Sequence, residues 1–144
     1  MPVKVKRITL WRKELANQAG TLAETLGPLA QAGADLQVVM GYCYPGDRTR
    51  AAVELFPIAT KKATAAAQAA GLAAAGIPAL HVEGDNRAGV GHAITRALAD
   101  AGVNLEFLVA HVIGRKYSAV FGFENDADAE KASALIKKAA ARKK

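Results

Sequence analysis

Two short runs of the chain carry the residues best suited to bind a small ligand. In each run an asparagine precedes a glycine at the same spacing, Asn17 before Gly20 and Asn86 before Gly89. Glycine lets the backbone turn closely into a following helix, and the first amide groups of a helix have no partner within it. Such amides can bind a carboxylate. Both runs therefore predict a backbone site for an anionic group.

A second polar residue follows each run at the opening of the next predicted strand. It is Asp35 after the first run and Asn104 after the second. The asparagines and glycines also have a structural interpretation, because asparagine is among the best helix-capping residues and glycine is needed for the turn even without a ligand. For Asn17 and Asn86 the sequence does not decide between contact with a ligand and capping of the following helix. Asn104 opens a strand, where asparagine is disfavoured, which favours a specific polar role.

The two runs belong to an internal repeat. When the sequence is aligned on itself with Asn17 over Asn86, residues 29–36 lie over residues 98–105 with closely similar side chains. Self-similarity of this kind indicates repeated structural units. The predicted units are residues 1–77 and residues 78–144.

Each copy has the pattern strand, helix, hairpin, helix. In the first copy apolar residues recur at helical spacing after Gly20, and Gly33 stands where the helix must end. Gly27-Pro28 predicts a kink or a late start of this helix. The elements that follow are strands over 36–43 and 51–56 and a helix over 60–70. Their counterparts in the second copy are strands over 103–113 and 117–123 and a helix over 127–141.

This order of elements predicts an α+β fold of two tandem ferredoxin-like βαββα units, with the helices on one face of an antiparallel sheet. The complete ferredoxin-like pattern has a fourth strand after its second helix. Only one strand, over 79–83, is predicted between the copies, and none after the last helix. We therefore expect this strand to serve both copies, or each sheet to lack one strand. An unpaired apolar edge favours association, within the chain or in a homodimer.

The repeat resembles the ACT domain family of ligand-binding regulatory modules. The resemblance rests on residues 86–90, followed by a helix and then residues 101–104, and more weakly on their counterparts in the first copy. It implies an amino acid ligand bound where units or subunits meet, an allosteric role, and a partner enzyme or regulator. By this resemblance Asn86 and Asn104 would hydrogen-bond the amino and carboxylate groups of the ligand. The implied site residues are Asn86, Ala88, Gly89, Val90 and Asn104, with Asn17, Gly20 and Asp35 in the first copy.

The chain departs from the usual family pattern in its loops. The family commonly has a proline before the loop glycine, where this chain has Ala19 and Ala88, and Gly91-His92 replaces apolar residues at the second helix start. Binding confined to one copy is therefore an open alternative. If both copies bind, their preferences should differ, because the negative charge of Asp35 repels a ligand carboxylate and favours an ammonium group.

The composition restricts the remaining classes of function. The 144 residues are 51% hydrophobic and 22% charged, which is typical of a folded protein. The single cysteine, Cys43, excludes an internal disulfide, and the sequence shows no signal peptide or membrane-spanning run, which indicates a cytoplasmic protein. No constellation of residues is typical of an enzyme, a metal site or a nucleotide cofactor. Neither catalysis nor a cofactor is expected.

Nucleic-acid binding is the alternative to small-molecule regulation. The net charge is +6, and much of the excess lies at the two ends: Lys4, Lys6, Arg7, Arg12 and Lys13, and Lys137, Lys138, Arg142, Lys143 and Lys144. Clustered cations of this kind can bind phosphates. The simpler interpretation of the C-terminal cluster is a solvated helix end, where cations meet the negative end of the helix dipole. Because the charges have this simpler interpretation, we prefer the small-molecule function that the repeat indicates.

Overall fold

The computed structural model describes residues 2–141. In chain order these residues form β1 (Lys4–Ile8), β2 (Trp11–Ala16), α1 (Thr21–Gln31), β3 (Val38–Tyr44), β4 (Asp47–Phe56), α2 (Lys61–Ala69) and β5 (Ala73–Ala74). They continue with β6 (Ala79–Asp85), α3 (Val90–Asp100), β7 (Leu105–Ile113), β8 (Lys116–Phe123) and α4 (Asp126–Ala141). Within residues 2–141, no helix combines the length and the apolar character that crossing a membrane requires. The helices and hairpins predicted for both copies are confirmed, although α1 begins at Thr21 and the late start suggested by Pro28 is wrong.

The chain divides into two compact units, each with its own four-stranded sheet. The unit that we call the N-unit is Thr9–Gly76, and the C-unit holds the residues up to Ile8 and those from Ile77 onward. The sheet order is β3-β4-β2-β5 in the N-unit and β1-β6-β8-β7 in the C-unit. All neighbouring strands are antiparallel. Each unit thus has the predicted ferredoxin-like α+β fold.

The N-terminal strand belongs to the C-unit and not to the copy that follows it in sequence. β1 pairs with β6, from Lys4 opposite Glu83 to Ile8 opposite Ala79. The fourth strand of the N-unit is the short β5, which pairs with β2. The expectation that β6 serves both copies, or that each sheet lacks a strand, is therefore wrong. β1 lies within the range predicted for the first unit, 1–77, but its pairing partner β6 lies in the other half of the chain.

Each unit packs its two helices on one face of its sheet. In the C-unit Leu98 of α3 and Ile136 of α4 join Phe123 of β8 in the core, and each of the three is at most 1% exposed. In the N-unit the fully buried Leu29 of α1 and Leu55 of β4 do the same. Helical apolar residues three or four apart form one stripe, so the opposite stripe stays polar. Burial of the apolar stripe therefore determines which face of each helix packs on the sheet.

A chain that lacks residues 2–8 tests the assignment of β1 to the C-unit. Loss of β1 removes the buried Ile8 and uncovers the edge of β6 with which β1 pairs. We expect the free energy of unfolding of the C-unit to fall by about 2 kcal/mol, measured by urea denaturation. Amide hydrogen exchange should become faster in β6 and stay unchanged in β2. Faster exchange in β2 alone would contradict the assignment.

Candidate functional site

The C-unit backbone makes a left-handed turn at the start of α3. Gly89, the residue before the helix, has a φ of 84°, and no side chain caps the helix. Residues other than glycine are strained in this conformation. The Val90 amide donates to the Arg87 carbonyl at 3.2 Å. The next two amides, of Gly91 and His92, have no acceptor among the described residues and are available to an anionic ligand.

The open start of α3 differs from the start of the other helix in each unit. In the C-unit, the Asp128 amide of α4 donates to Asn125 Oδ1 at 2.8 Å. In the N-unit, the Ala63 amide of α2 donates to Thr60 Oγ1 at 3.0 Å. The helices that follow a glycine turn, α1 and α3, have no such side-chain bond. The open helix starts therefore coincide with the two runs that the sequence singled out.

The side chain of Asn86 is unbound at this turn. Its backbone amide donates to the Arg115 carbonyl at 2.8 Å, which ties the loop to the turn between β7 and β8. The side-chain amide has no hydrogen-bond partner within residues 2–141, and the residue at the capping position is Gly89. Asn86 therefore does not cap α3, which is one of its two interpretations from the sequence. Its amide group can bind a ligand.

An open cavity of about 250 Å³ lies between this turn, the first half of α3, and strands β7 and β8. Asn86, Arg87, Gly89 and Gly91 contribute its border. Most of its wall is apolar and consists of Val90, Ile94, Leu108, Ala110, Val112, Ala119 and Phe121. Sites for drug-sized ligands usually enclose about 300–1,000 Å³. This cavity suits a smaller molecule, with one polar end and one apolar end.

The polar lining also includes Arg87, Thr95, His111 and Tyr117, none of which the sequence predicted as a ligand contact. Tyr117 is 7% exposed, and its hydroxyl has no hydrogen-bond partner among the described residues. Burial raises the pKa of Tyr117, and the nearby Arg87 guanidinium opposes that rise. Arg87 Nη2 donates to the Ala139 carbonyl near the end of α4 at 3.2 Å. Arg87 lies inside the asparagine–glycine run and could have been found there, whereas the β8 register alone brings Tyr117 to the site.

At the corresponding turn of the N-unit, within the residues that the structure describes, the first amides of the helix are also open, but the polar side chains are already bound. Gly20 has a φ of 93° and precedes α1 as Gly89 precedes α3. Here, however, Asn17 Nδ2 donates to the Arg48 carbonyl at 2.7 Å and lies 3.4 Å from Cys43 Sγ. Thr21 Oγ1 donates to the last carbonyl of β2 at 2.9 Å. Asn17 thus fixes the β3–β4 hairpin and does not cap α1.

The structure does not bring Asn104 to the turn of its own unit. Asn104 directly precedes β7, which meets the end of β8 at Phe123. Asn86 directly follows β6, which meets the start of β8 at Lys116. The eight residues of β8 separate these two places, a distance of about 24 Å at the usual rise of a strand. Their counterparts in the N-unit, Asp35 and Asn17, likewise lie toward opposite ends of β4.

Part of the basic charge at the N-terminus is engaged in contacts within a unit. Arg7 forms an ion pair with Asp126 in the C-unit, and Arg12 donates to the Tyr44 hydroxyl in the N-unit. Three of the C-terminal cations, Arg142, Lys143 and Lys144, lie outside the described residues. At least two of the five N-terminal cations thus have partners within their own unit.

Alanine variants of the two asparagines distinguish their roles. Asn17→Ala leaves the Arg48 carbonyl without its donor, so we expect the free energy of unfolding to fall by about 1 kcal/mol. Asn86→Ala breaks no side-chain hydrogen bond within residues 2–141, so the change should stay within about 0.5 kcal/mol. Urea denaturation of both variants measures the difference. Equal destabilisation would show that Asn86 is also a structural residue.

Comparison with known proteins finds solved structures with a similar fold. No family model and no curated protein sequence matches the chain. Protein BT0572 from Bacteroides thetaiotaomicron matches in structure with a TM-score of 0.74 and 16% identity, over 89% of this chain and 87% of that one. The regulatory subunit of aspartate kinase from Thermus thermophilus matches with a TM-score of 0.63 and 18% identity, over 96% and 97%. Its counterpart from Thermus flavus gives 0.62 and 17%, also over 96% and 97%.

Likeness at 16–18% identity concerns the fold alone. Two of these three structures are named as regulatory subunits of an enzyme and none as a catalytic subunit. Each covers nearly the whole chain, so the shared fold includes both copies of the repeat. This chain has the fold of the ACT domain family of regulatory modules, which the resemblance of its repeat predicted.

Proposed function

We propose that this protein is a regulatory module whose C-unit binds a free amino acid in the cavity beside Gly89. One observation carries the proposal: unbound polar groups and an apolar wall meet at the same small cavity. The polar groups at the cavity are the Asn86 side chain and the Gly91 amide, and the open amide of His92 is the next along the helix. An amino acid needs both surfaces, because it joins a charged backbone to a side chain.

The turn holds the groups that all amino acids share. The ligand carboxylate accepts hydrogen bonds from the amides of Gly91 and His92, at the positive end of α3. The Asn86 carboxamide oxygen accepts from the ligand ammonium group. Hydrogen bonds to charged groups are about twice as strong as those between neutral groups. Ala88 and Gly89 contribute through the course of the backbone, and Val90 begins the apolar wall.

Binding is confined to the C-unit in this proposal. Within the described part of the chain the Asn86 side chain is unbound, whereas the side chain of its counterpart, Asn17, already donates to the Arg48 carbonyl. A ligand at the N-unit turn would have to break that bond before it could use Asn17. Gly20 then keeps only its role in the turn. One copy of the motif is a ligand site, and the other holds a hairpin.

A second copy of the chain completes the site by pairing along β7. This strand is at the edge of the C-unit sheet, and residues 108–113 at its end are all exposed. They include Leu108, Val109, Val112 and Ile113, which are 43%, 40%, 50% and 71% exposed. A long apolar edge is a template for pairing with another strand. A homodimer with two-fold symmetry pairs the same strand of both copies in antiparallel fashion.

Pairing of this kind gives Asn104 a place at the ligand. With its centre at Val109, the middle of β7, antiparallel pairing puts Asn104 of the second copy opposite Gly114. Gly114 lies in the turn to which the Asn86 loop is tied through the Arg115 carbonyl. The two asparagines are far apart in one unit but approach each other across the dimer. The role that the family resemblance implies for both is then met by two subunits.

The ligand regulates by favouring one state of the protein over another. Its effect equals the difference in its affinity for the two states, usually about 1–3 kcal/mol. The regulatory subunits of aspartate kinase support an output that passes to a separate enzyme. We propose such a partner enzyme for this chain and no catalysis of its own.

A thermal-denaturation screen against the common amino acids tests ligand binding. A ligand that binds only the folded protein, at about 100 times its dissociation constant, should add about 2.7 kcal/mol to the free energy of unfolding. Asn86→Ala should abolish the stabilisation without changing the stability of the free protein. Asn17→Ala is the matched control and should keep it. The absence of stabilisation by any amino acid would refute the proposed function.

Charged substitutions on β7 test the dimer. Val109→Lys and Ile113→Lys place repelling charges on the edge. Neither residue lines the cavity, whose β7 residues are Leu108, Ala110, His111 and Val112. We expect sedimentation to show a dimer for the original chain and a monomer for the double variant. Ligand binding should weaken in parallel, because Asn104 of the second copy is lost. A monomeric original chain would contradict this part of the proposal.

A further inference from the structure

We infer that the C-unit site selects amino acids with an uncharged, apolar side chain. This inference rests on the proposed function and deepens it. The turn at Gly89 meets groups that every amino acid carries, so it cannot distinguish one from another. The wall opposite meets the side chain and therefore decides which amino acid binds.

The wall offers carbon surface from three elements. Ile94 comes from α3, Leu108 and Ala110 come from β7, and Phe121 comes from β8. No aspartate, glutamate or lysine is among the described residues that line the cavity. A cationic side chain would therefore be buried without a counter-charge, which is strongly unfavourable. The wall excludes lysine and arginine as ligands.

The polar lining residues do not provide an anion site in the wall. Arg87 carries the one permanent positive charge in the lining, and its guanidinium donates to the Ala139 carbonyl, at the negative end of α4. This bond holds the charge at the border. Tyr117 stays neutral at physiological pH, because burial raises its pKa. An acidic side chain placed against the apolar wall would lose hydration. Besides the bonded Arg87, the lining offers it only the His111 imidazole and the Thr95 hydroxyl as further polar groups of β7 and α3.

The affinity should depend on how much of the ligand side chain the wall covers. The open cavity of about 250 Å³ has room for an aliphatic amino acid. Each methylene that the wall covers should improve the affinity about fourfold. The affinity should therefore rise from alanine to valine to leucine.

Isothermal titration of the full chain with alanine, valine, leucine, lysine and glutamate tests the selection. We expect leucine or valine to bind at least tenfold more tightly than lysine or glutamate. Leu108→Asp adds a carboxylate to the wall and should weaken leucine binding at least tenfold while improving lysine binding. The matched control is Val39→Asp at the corresponding position of β3, where the side chain is 47% exposed compared with 43% for Leu108. It should leave both affinities unchanged.

The outcomes separate this inference from the proposed function. If no amino acid binds, the proposed function fails and the inference fails with it. If lysine or glutamate binds as tightly as leucine, the inference alone is overturned. It is also overturned if Leu108→Asp and Val39→Asp affect leucine binding equally. Ala110→Asp, at another exposed wall position, provides the same test if Leu108→Asp does not fold.

Discussion

The left-handed turn at Gly89 is the constraint on which the C-unit site depends. A buried strand ends at Asp85 and a helix begins at Val90, so only a short loop joins them. A residue at a φ of 84° is needed to direct the chain onto the sheet at this distance, and glycine adopts that conformation without strain. Because the residue at the capping position has no side chain, the first amides of α3 stay open. The geometry that closes the fold thus also creates the polar half of the proposed site.

The rest of the site follows from how the helix and the sheet meet. Val90 and Ile94 face the sheet at helical spacing and are buried, whereas the β7 residues opposite them are exposed at the edge. The space between a covered helix face and an uncovered strand is the cavity. Apolar groups on both sides of such a space gain from any ligand or partner that removes them from water. The proposed ligand and the proposed second subunit would therefore stabilise the same region.

The two copies of the repeat show how one motif can serve two purposes. Both have a glycine at positive φ and an asparagine at the same position before it. In the N-unit the asparagine donates to the Arg48 carbonyl and fixes a hairpin. In the C-unit the backbone amide of Asn86 makes the link to the hairpin turn and the side chain stays unbound. The chemical difference between the copies therefore lies in their hairpins and not in the motif.

The sequence by itself determined the elements and their order, because their signals are local. Helical spacing of apolar residues, glycine at the ends of helices and turn residues in the hairpins act over a few positions, and they predicted the ferredoxin-like units and the glycine turn. Only the tertiary structure decided the pairing of β1 with β6, the place of Tyr117 in the wall, and the separation of Asn104 from Asn86. Each of these depends on contacts between residues far apart in sequence. Their partners are chosen by packing and strand register, which no short run of residues encodes.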